Sequence, residues 1–302
     1  MAVESPRDPV QRRLEPMLAL RRSDGSFAYR SGGPGQAECT CYALLALKAA
    51  GHPVDGKIAQ SLDWLASLER EDGGFAPQPS ILTSNWVTGL ISITMGAYQR
   101  TETQRKAVEW LLGITGGETA RWRHVIHNLL GTKTEYPQVH QGWPWAVGTT
   151  AWLEPTVLGT LAMLRAQTPD LFPDLRTRIG ERFDEARKML LDRRCADGGW
   201  NYGAPIALGI GALSYPETTG MALFGLQGTP TGTLSHSTSL AHRMLAGKPH
   251  ANGVSWLQLG LSAFGEAADA GEEEAIQCRN CLDYALRVLA LKAIGGTNVF
   301  KA

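Results

Sequence analysis

The stretch Ser67–Pro79, SLEREDGGFAPQP, ends an apolar helical pattern with Asp-Gly-Gly-aromatic and then prolines. Arg193–Gly203, RRCADGGWNYG, writes the same punctuation, and Arg21–Arg30, RRSDGSFAYR, is a weaker copy. Asp24 and Asp72 are 48 positions apart, and the 302 residues divide into six such intervals. Self-similarity at a period of about 20–50 residues marks solenoids, propellers or closed rings, because each unit buries its apolar face only against its neighbours.

Between the turns two kinds of helix alternate. Segments 11–22, 57–70, 104–114 and 182–194 are amphipathic and charged. Segments 41–51, 86–98, 155–166, 219–226 and 255–265 are apolar nearly all round and rich in small residues. A helix apolar on every face must be buried, and one with a polar face lies outside it. Neither end of the chain has the polar cap of an open array. LALKAAG (45–51) recurs as LALKAIG (289–295), which sets the last inner helix beside the first. The expected fold is therefore all-α: an (α/α)6 toroid of helical hairpins, a single domain over 1–302. The pattern is weakest at an insertion, 115–141, and within 266–280, where the outer helix of the last repeat is poorly defined.

Lys+Arg and Asp+Glu are 29 each, so no surface for nucleic acid is indicated. Hydrophobic residues at 43% support a large core. The N-terminus has charges and prolines where an export signal has an apolar centre. No apolar run approaches the ~20 residues that cross a bilayer. With no such signal, the five cysteines read as reduced thiols or metal ligands, and the expected location is cytoplasmic.

Each turn aspartate can accept hydrogen bonds from the following backbone, and the glycines allow positive φ. The aromatic that follows, Phe27, Phe75 or Trp200, folds back on the helix pair; QGWPWAVGTTAW places Trp143 and Trp145 there in the third repeat. These aromatics are either staples of the turn or, for Trp143, Trp145, Trp200 and Tyr202, the lining of a cavity mouth.

The inner helices also share a register. Glu38, Glu154, Glu217 and Asn252 each stand nine residues before an apolar position of the leucine-rich turn, Asn85 takes the place in the second repeat, and Asp283 is the nearest counterpart in the last. Inner helices of a ring all start at one end, so these side chains would rim one mouth, with Trp86, Trp152 and Trp256 adjacent. Capping and the helix dipole explain such residues locally. Convergence explains more: neighbouring carboxyls against apolar surface raise one another's pKa, and a carboxyl that holds its proton near neutral pH can serve as a general acid.

EREDGGF, RCADGGWNYG and GWPWAVGTTAWLEPT resemble the prenyltransferase/squalene-oxidase repeat of squalene–hopene and other class II terpenoid cyclases and of protein prenyltransferase β subunits, over about 10–300. The resemblance implies a toroid with a hydrophobic central cavity for an isoprenoid chain. Class II cyclases protonate an alkene with an Asp-x-Asp-Asp motif that this chain lacks, so a cyclase or isomerase here would use Glu154, Glu217 or Glu38. A non-catalytic lipid-binding protein or subunit is the alternative, with contact to a membrane surface or a partner subunit. The prenyltransferases hold zinc at inner-helix starts. Cys39 and Cys41, with Cys278 and Cys281, are the thiols that a closed ring would bring near each other for zinc, giving a zinc-dependent prenyl or alkyl transferase as a further alternative. His124 and His127, with His140, form a second candidate metal set, and Arg121, Arg123 and His124 could instead meet a diphosphate. His236 and His242 have no assigned role.

Overall fold

The computed structural model describes residues 8–117, 140–207, 210–268 and 273–301. His124, His127, Arg121 and Arg123 lie outside these residues. Six inner helices run in chain order: α2 (Ala37–Ala49), α4 (Val87–Ala97), α6 (Leu153–Ala166), α8 (Pro216–Gly225), α10 (Ala251–Ser262) and α11 (Cys281–Ile294). Each buries residues on all sides, as their all-round apolar sequences require. Among the described residues five outer α-helices accompany them: α1 (Pro9–Leu18), α3 (Gly56–Ala66), α5 (Thr101–Gly113), α7 (Arg176–Asp192) and α9 (Thr231–Ala246). These bury one stripe; in α7 it is Ile179, Arg182, Phe183, Ala186, Met189 and Leu190.

The ring closes. Each inner helix packs on the next, and α11 packs on α2. Outer helices pack on the inner helix that precedes them: α3 on α2, α5 on α4, α7 on α6, and α1 on α11. In the sixth repeat, the described part of the outer segment contains a 3-10 turn, Glu273–Ala275, where the pattern predicts an outer helix. The fully buried Arg287 of α11 holds it, donating to Glu273 Oε2 at 2.9 Å while Arg13 of α1 donates to the Glu273 carbonyl at 2.9 Å. No helix among the described residues is long and apolar enough to cross a membrane.

The repeated turn is built alike each time. Asp24 Oδ1 accepts from Ser26 N, Asp72 Oδ1 from Gly74 N and Asp197 Oδ1 from Gly199 N, at 3.0, 3.1 and 3.0 Å. Gly25, Gly73 and Gly198 stand at φ +92°, +80° and +94°, which a Cβ would disfavour. The first turn runs into a short hairpin, β1 (Phe27–Ala28) against β2 (Gly35–Gln36), and the fourth carries another, β3 (Ile206–Ala207) against β4 (Ile210–Gly211).

Two bonds then tie turn to ring. The buried backbone N–H of the turn aromatic donates to an inner-helix threonine: Phe27 to Thr40 at 2.9 Å, Phe75 to Thr88 at 2.9 Å, Trp143 to Thr156 at 3.0 Å and Trp200 to Thr219 at 3.1 Å. The carbonyl two residues past the aromatic accepts from the start of the preceding inner helix: Pro77 from Ala37, Trp145 from Trp86 and Tyr202 from Leu153. The same bond closes the circle, with Cys281 N donating to Tyr29 O at 3.0 Å. At one seam the helices need no turn. A Cβ on Gly220 of α8 would come within 2.2 Å of the Trp256 backbone of α10, and one on Gly260 within 2.7 Å of Gly220 O, so these glycines permit close helix contact.

Thr156→Val keeps the shape and removes the acceptor, leaving a buried N–H unpaired. It is expected to lower the free energy of unfolding by about 1–3 kcal/mol, with Thr156→Ser close to wild type. Gly220→Ala is expected to cost about 1–3 kcal/mol through overpacking. Urea unfolding measures both, and a valine variant as stable as wild type would refute the role given to the threonine.

Candidate active site

The threonine bonds fix the register that spacing alone left ambiguous. Two residues before each threonine stand Glu38, Trp86, Glu154 and Glu217. Asn85 is therefore one residue out of register, and Trp86 holds the place in the second repeat. Asn85 caps α4 instead: its Oδ1 accepts from Val87 N at 3.2 Å, and its backbone bridges to Ala146. Counting nine residues onward from Trp86 reaches Met95, the apolar partner that Asn85 lacks. Asn252 sits half-buried at the second position of α10. Asp283 and Asn280 cap α11 reciprocally: Asn280 Oδ1 accepts from Asp283 N at 3.0 Å, and Asp283 Oδ2 accepts from Asn280 Nδ2 at 2.9 Å.

Glu38 and Glu154 stand on α2 and α6, the two inner helices that flank α4. Both side chains are half-buried and lie in the first turns of α2 and α6. Burial pushes the Glu38 carboxyl up to about 7. Burial, and then repulsion from Glu38, pushes Glu154 up to about 8. Desolvation and a like charge both favour the proton-bearing form, so near neutral pH this pair retains a proton that an isolated carboxyl would have lost.

Glu217 is fixed differently. The Tyr202 hydroxyl donates to its Oε1 at 2.7 Å, and His250 Nε2 lies 3.7 Å from its Oε2. Burial first, then Glu217 and Glu154, raises the Tyr202 phenol.

One turn below Glu38 is Tyr42, fully buried, whose hydroxyl has no hydrogen-bond partner among the described residues. Burial, then Glu154 and Glu38, raises its phenol. One turn below Asn252 is Trp256, 1% exposed, with an Nε1 that is also unpartnered; the Tyr42 and Trp256 rings meet edge-on with centroids 6.2 Å apart. Together they form an aromatic contact within the core. The sequence pattern identified Trp256 as adjacent to the rim but missed Tyr42, His250 and Tyr215. The i+4 spacing from Glu38 is the signal that finds Tyr42.

The aromatics divide into two groups. Trp143 and Trp200 are staples of the scaffold and not mouth residues, at 2% and 0% exposure. Trp143 Nε1 donates to Leu111 O at 2.9 Å, with the Arg182 guanidinium 3.7 Å from its ring centroid, and Trp200 Nε1 donates to Leu190 O at 2.6 Å. Trp86 and Trp145 form an edge-on pair with centroids 4.8 Å apart, both half-buried. Trp152 and Tyr202 are exposed, and Tyr202 packs on the exposed Tyr215 with centroids 5.8 Å apart. These stand nearest the glutamates, since Tyr202 O bonds Leu153 N beside Glu154.

Ring closure brings two of the four thiols together: Cys281 Sγ donates to Cys39 O at 3.8 Å, while Cys39 Sγ donates to Gln36 Oε1 at 3.8 Å, and the adjacent Cys281 thiol, with burial, raises Cys39. Burial pushes Cys41 up to about 12. Burial likewise pushes Cys278 up to about 11, and its thiol donates to Asp283 O at 3.5 Å. Among the described residues no three His, Cys, Asp or Glu side chains converge as metal ligands. His140 faces Glu185 and Asp192 of α7, at 3.2 and 3.6 Å, and His242 bonds Glu266 at 2.7 Å.

No protein-family model matches the chain, and no curated protein matches it in sequence. Solved structures match it in shape. ent-Copalyl diphosphate synthase from Streptomyces platensis aligns with 86% of this chain at 15% identity and TM-score 0.54, and the chain spans 50% of that protein. A mutant of the type II terpene cyclase MstE from Scytonema, bound to merosterolic acid A, aligns with 95% of this chain and 79% of its own at 13% identity and TM-score 0.52. A β-1,3-1,4-glucanase from Paenibacillus sp. X4 aligns with 96% of this chain and 91% of its own at 8% identity and TM-score 0.61. The chain is an α/α toroid, a fold it shares with terpene cyclases and glycosidases.

Proposed function

We propose that this toroid is an acid-catalysing enzyme in which Glu154 delivers a proton to a largely apolar, isoprenoid-like substrate. The observation that carries the reading is the two carboxyls of Glu38 and Glu154, half-buried at the starts of inner helices α2 and α6 and lifted to about 7 and 8. Protonation of a carbon–carbon double bond by Glu154 leaves a carbocation and a carboxylate. Ionised Glu38 then takes a proton from the cation, so that the product is an isomer or a ring. Trp86, Trp145, Trp152 and Tyr202 offer aromatic faces to the positive charge, worth about 2 kcal/mol each when desolvated. Terpene cyclases among the structural neighbours support the substrate class.

A second reading is hydrolysis of a glycosidic bond. The height of the Glu154 pKa favours it, because an acid matched to the working pH suits protonation of an oxygen leaving group, whereas a double bond rewards a stronger acid. The glucanase neighbour supports this class.

Purified protein incubated with linear polyprenols, with their diphosphates, and with gluco- and xylo-oligosaccharides, followed by mass spectrometry, separates the readings. Glu154→Gln is expected to lower kcat/KM on the accepted substrate by about 10²–10⁴-fold. Wild-type turnover by that variant overturns the assignment of the acid. The rate should fall as pH rises through about 8, where Glu154 loses its proton.

The same groups set a stability profile. Their folded pKa values are raised, so both carboxyls are protonated without penalty below about 4.5, and the fold weakens as pH rises through about 7 and then 8. The double variant Glu38→Gln with Glu154→Gln should gain about 1–3 kcal/mol over wild type at pH 9 and little at pH 4, read by urea unfolding at the two pH values. An unchanged difference between the two pH values would contradict the raised pKa values.

A further inference from the structure

The six seams of the ring are not equivalent. At four of them an aromatic turn closes the gap between inner-helix starts, through the bonds to Tyr29, Pro77, Trp145 and Tyr202 carbonyls. At the α8–α10 seam Gly220 and Gly260 let the helices touch. At the α10–α11 seam the described residues supply neither device, and the seam holds a cavity of about 650 Å³. Its lining is mixed in chemistry: Pro249, Val254 and Ile276 are apolar, and Lys248, His250 and Arg279 are basic. Asp283 also reaches the wall, but its carboxylate is engaged in the α11 cap, by Asn280 Nδ2 and the Arg279 backbone N–H. Lys248 and Arg279 are exposed, and neither forms an ion pair with a carboxylate of a described residue. The cavity lies beside the carboxylate mouth, because His250 is 3.7 Å from Glu217.

From this geometry we infer that the α10–α11 seam is a binding site for a small amphipathic molecule with one oxyanion head, a carboxylate or a phosphate ester. The head pairs with Lys248 and Arg279, and the apolar chain lies along Pro249, Val254 and Ile276. A volume of this size accommodates an organic ligand rather than a lone ion, and cavities of this kind combine an apolar wall with a few convergent polar groups. Guanidinium and ammonium groups recognise both kinds of head through charge-assisted hydrogen bonds. The site is distinct from the acid at Glu154 and goes beyond the reading of that residue.

Calorimetric titration of octyl phosphate, octanoate and octan-1-ol into the full chain tests the inference without turnover. The two anions are expected to bind at least about tenfold more tightly than the alcohol, and Lys248→Ala with Arg279→Ala to remove that advantage while leaving the alcohol unchanged. Whichever anion binds more tightly identifies the head. Both substituted side chains are exposed, and an unchanged melting temperature verifies that the variant is folded. Glu154→Gln should bind all three probes as wild type does, even if the acid assignment fails. Equal affinity for alcohol and anions, an unaltered double variant, absence of binding at millimolar probe, or loss of binding in Glu154→Gln would each overturn the site.

Discussion

A backbone N–H buried behind an aromatic ring must find an acceptor, and in this protein it finds the same one four times. The bond from turn aromatic to inner-helix threonine locks the chain reversal to the ring and sets how far each inner helix begins from the rim. An unpaired N–H in that position would cost about 1–3 kcal/mol, so the threonine is placed by necessity and not by propensity. The residues two positions earlier, Glu38, Trp86, Glu154 and Glu217, then take equivalent places at the starts of their helices. On the proposed function a structural requirement thereby positions the acid, because the same geometry at each repeat gives separate sequence positions the same place on their helices.

The toroid was legible in the sequence because its cause is periodic. Helices apolar all round alternate with amphipathic ones at a spacing that the Asp-Gly-Gly turns announce, and the glycine and aspartate side of the turn formed as its chemistry requires. The register was legible where a leucine-rich turn could be counted back from, at Glu38, Glu154 and Glu217. It slipped at Asn85, whose helix begins with a capping residue, because spacing does not distinguish a cap from a rim position. Trp143 and Trp200 illustrate another limit. Composition places aromatics beside the turn, but whether a ring faces the mouth or the outer helix depends on which side Leu111 O and Leu190 O occupy.

Tyr42 and His250 were missed for different reasons. Tyr42 is inside a run that reads as core, and its distinction is a buried hydroxyl left unpartnered among the described residues, which only three dimensions reveal. His250 belongs to a short connection without the repeated turn, so the periodic argument has nothing to say there. The departures from the repeat, at the fifth and sixth units, are where the ring carries a cavity at its helix starts with basic side chains in its lining. Repetition builds the scaffold, and its interruption leaves room for recognition.

The bond from Cys281 N to Tyr29 O joins groups 252 positions apart. Every other link of this type spans one repeat and can form soon after its own turn. This one requires five-sixths of the circle to be in place before its partners meet, and long-range contacts are the slow ones to make. Until they meet, the flank of α2 that includes Cys39 has no α11 to cover it, and a partly assembled ring exposes an apolar edge at each end. The two edges of an incomplete circle complement each other, so a second incomplete copy could satisfy them as well as the chain's own far end. Closure is therefore a competition between an intramolecular encounter and exchange of segments between chains, in which dilution favours the single ring.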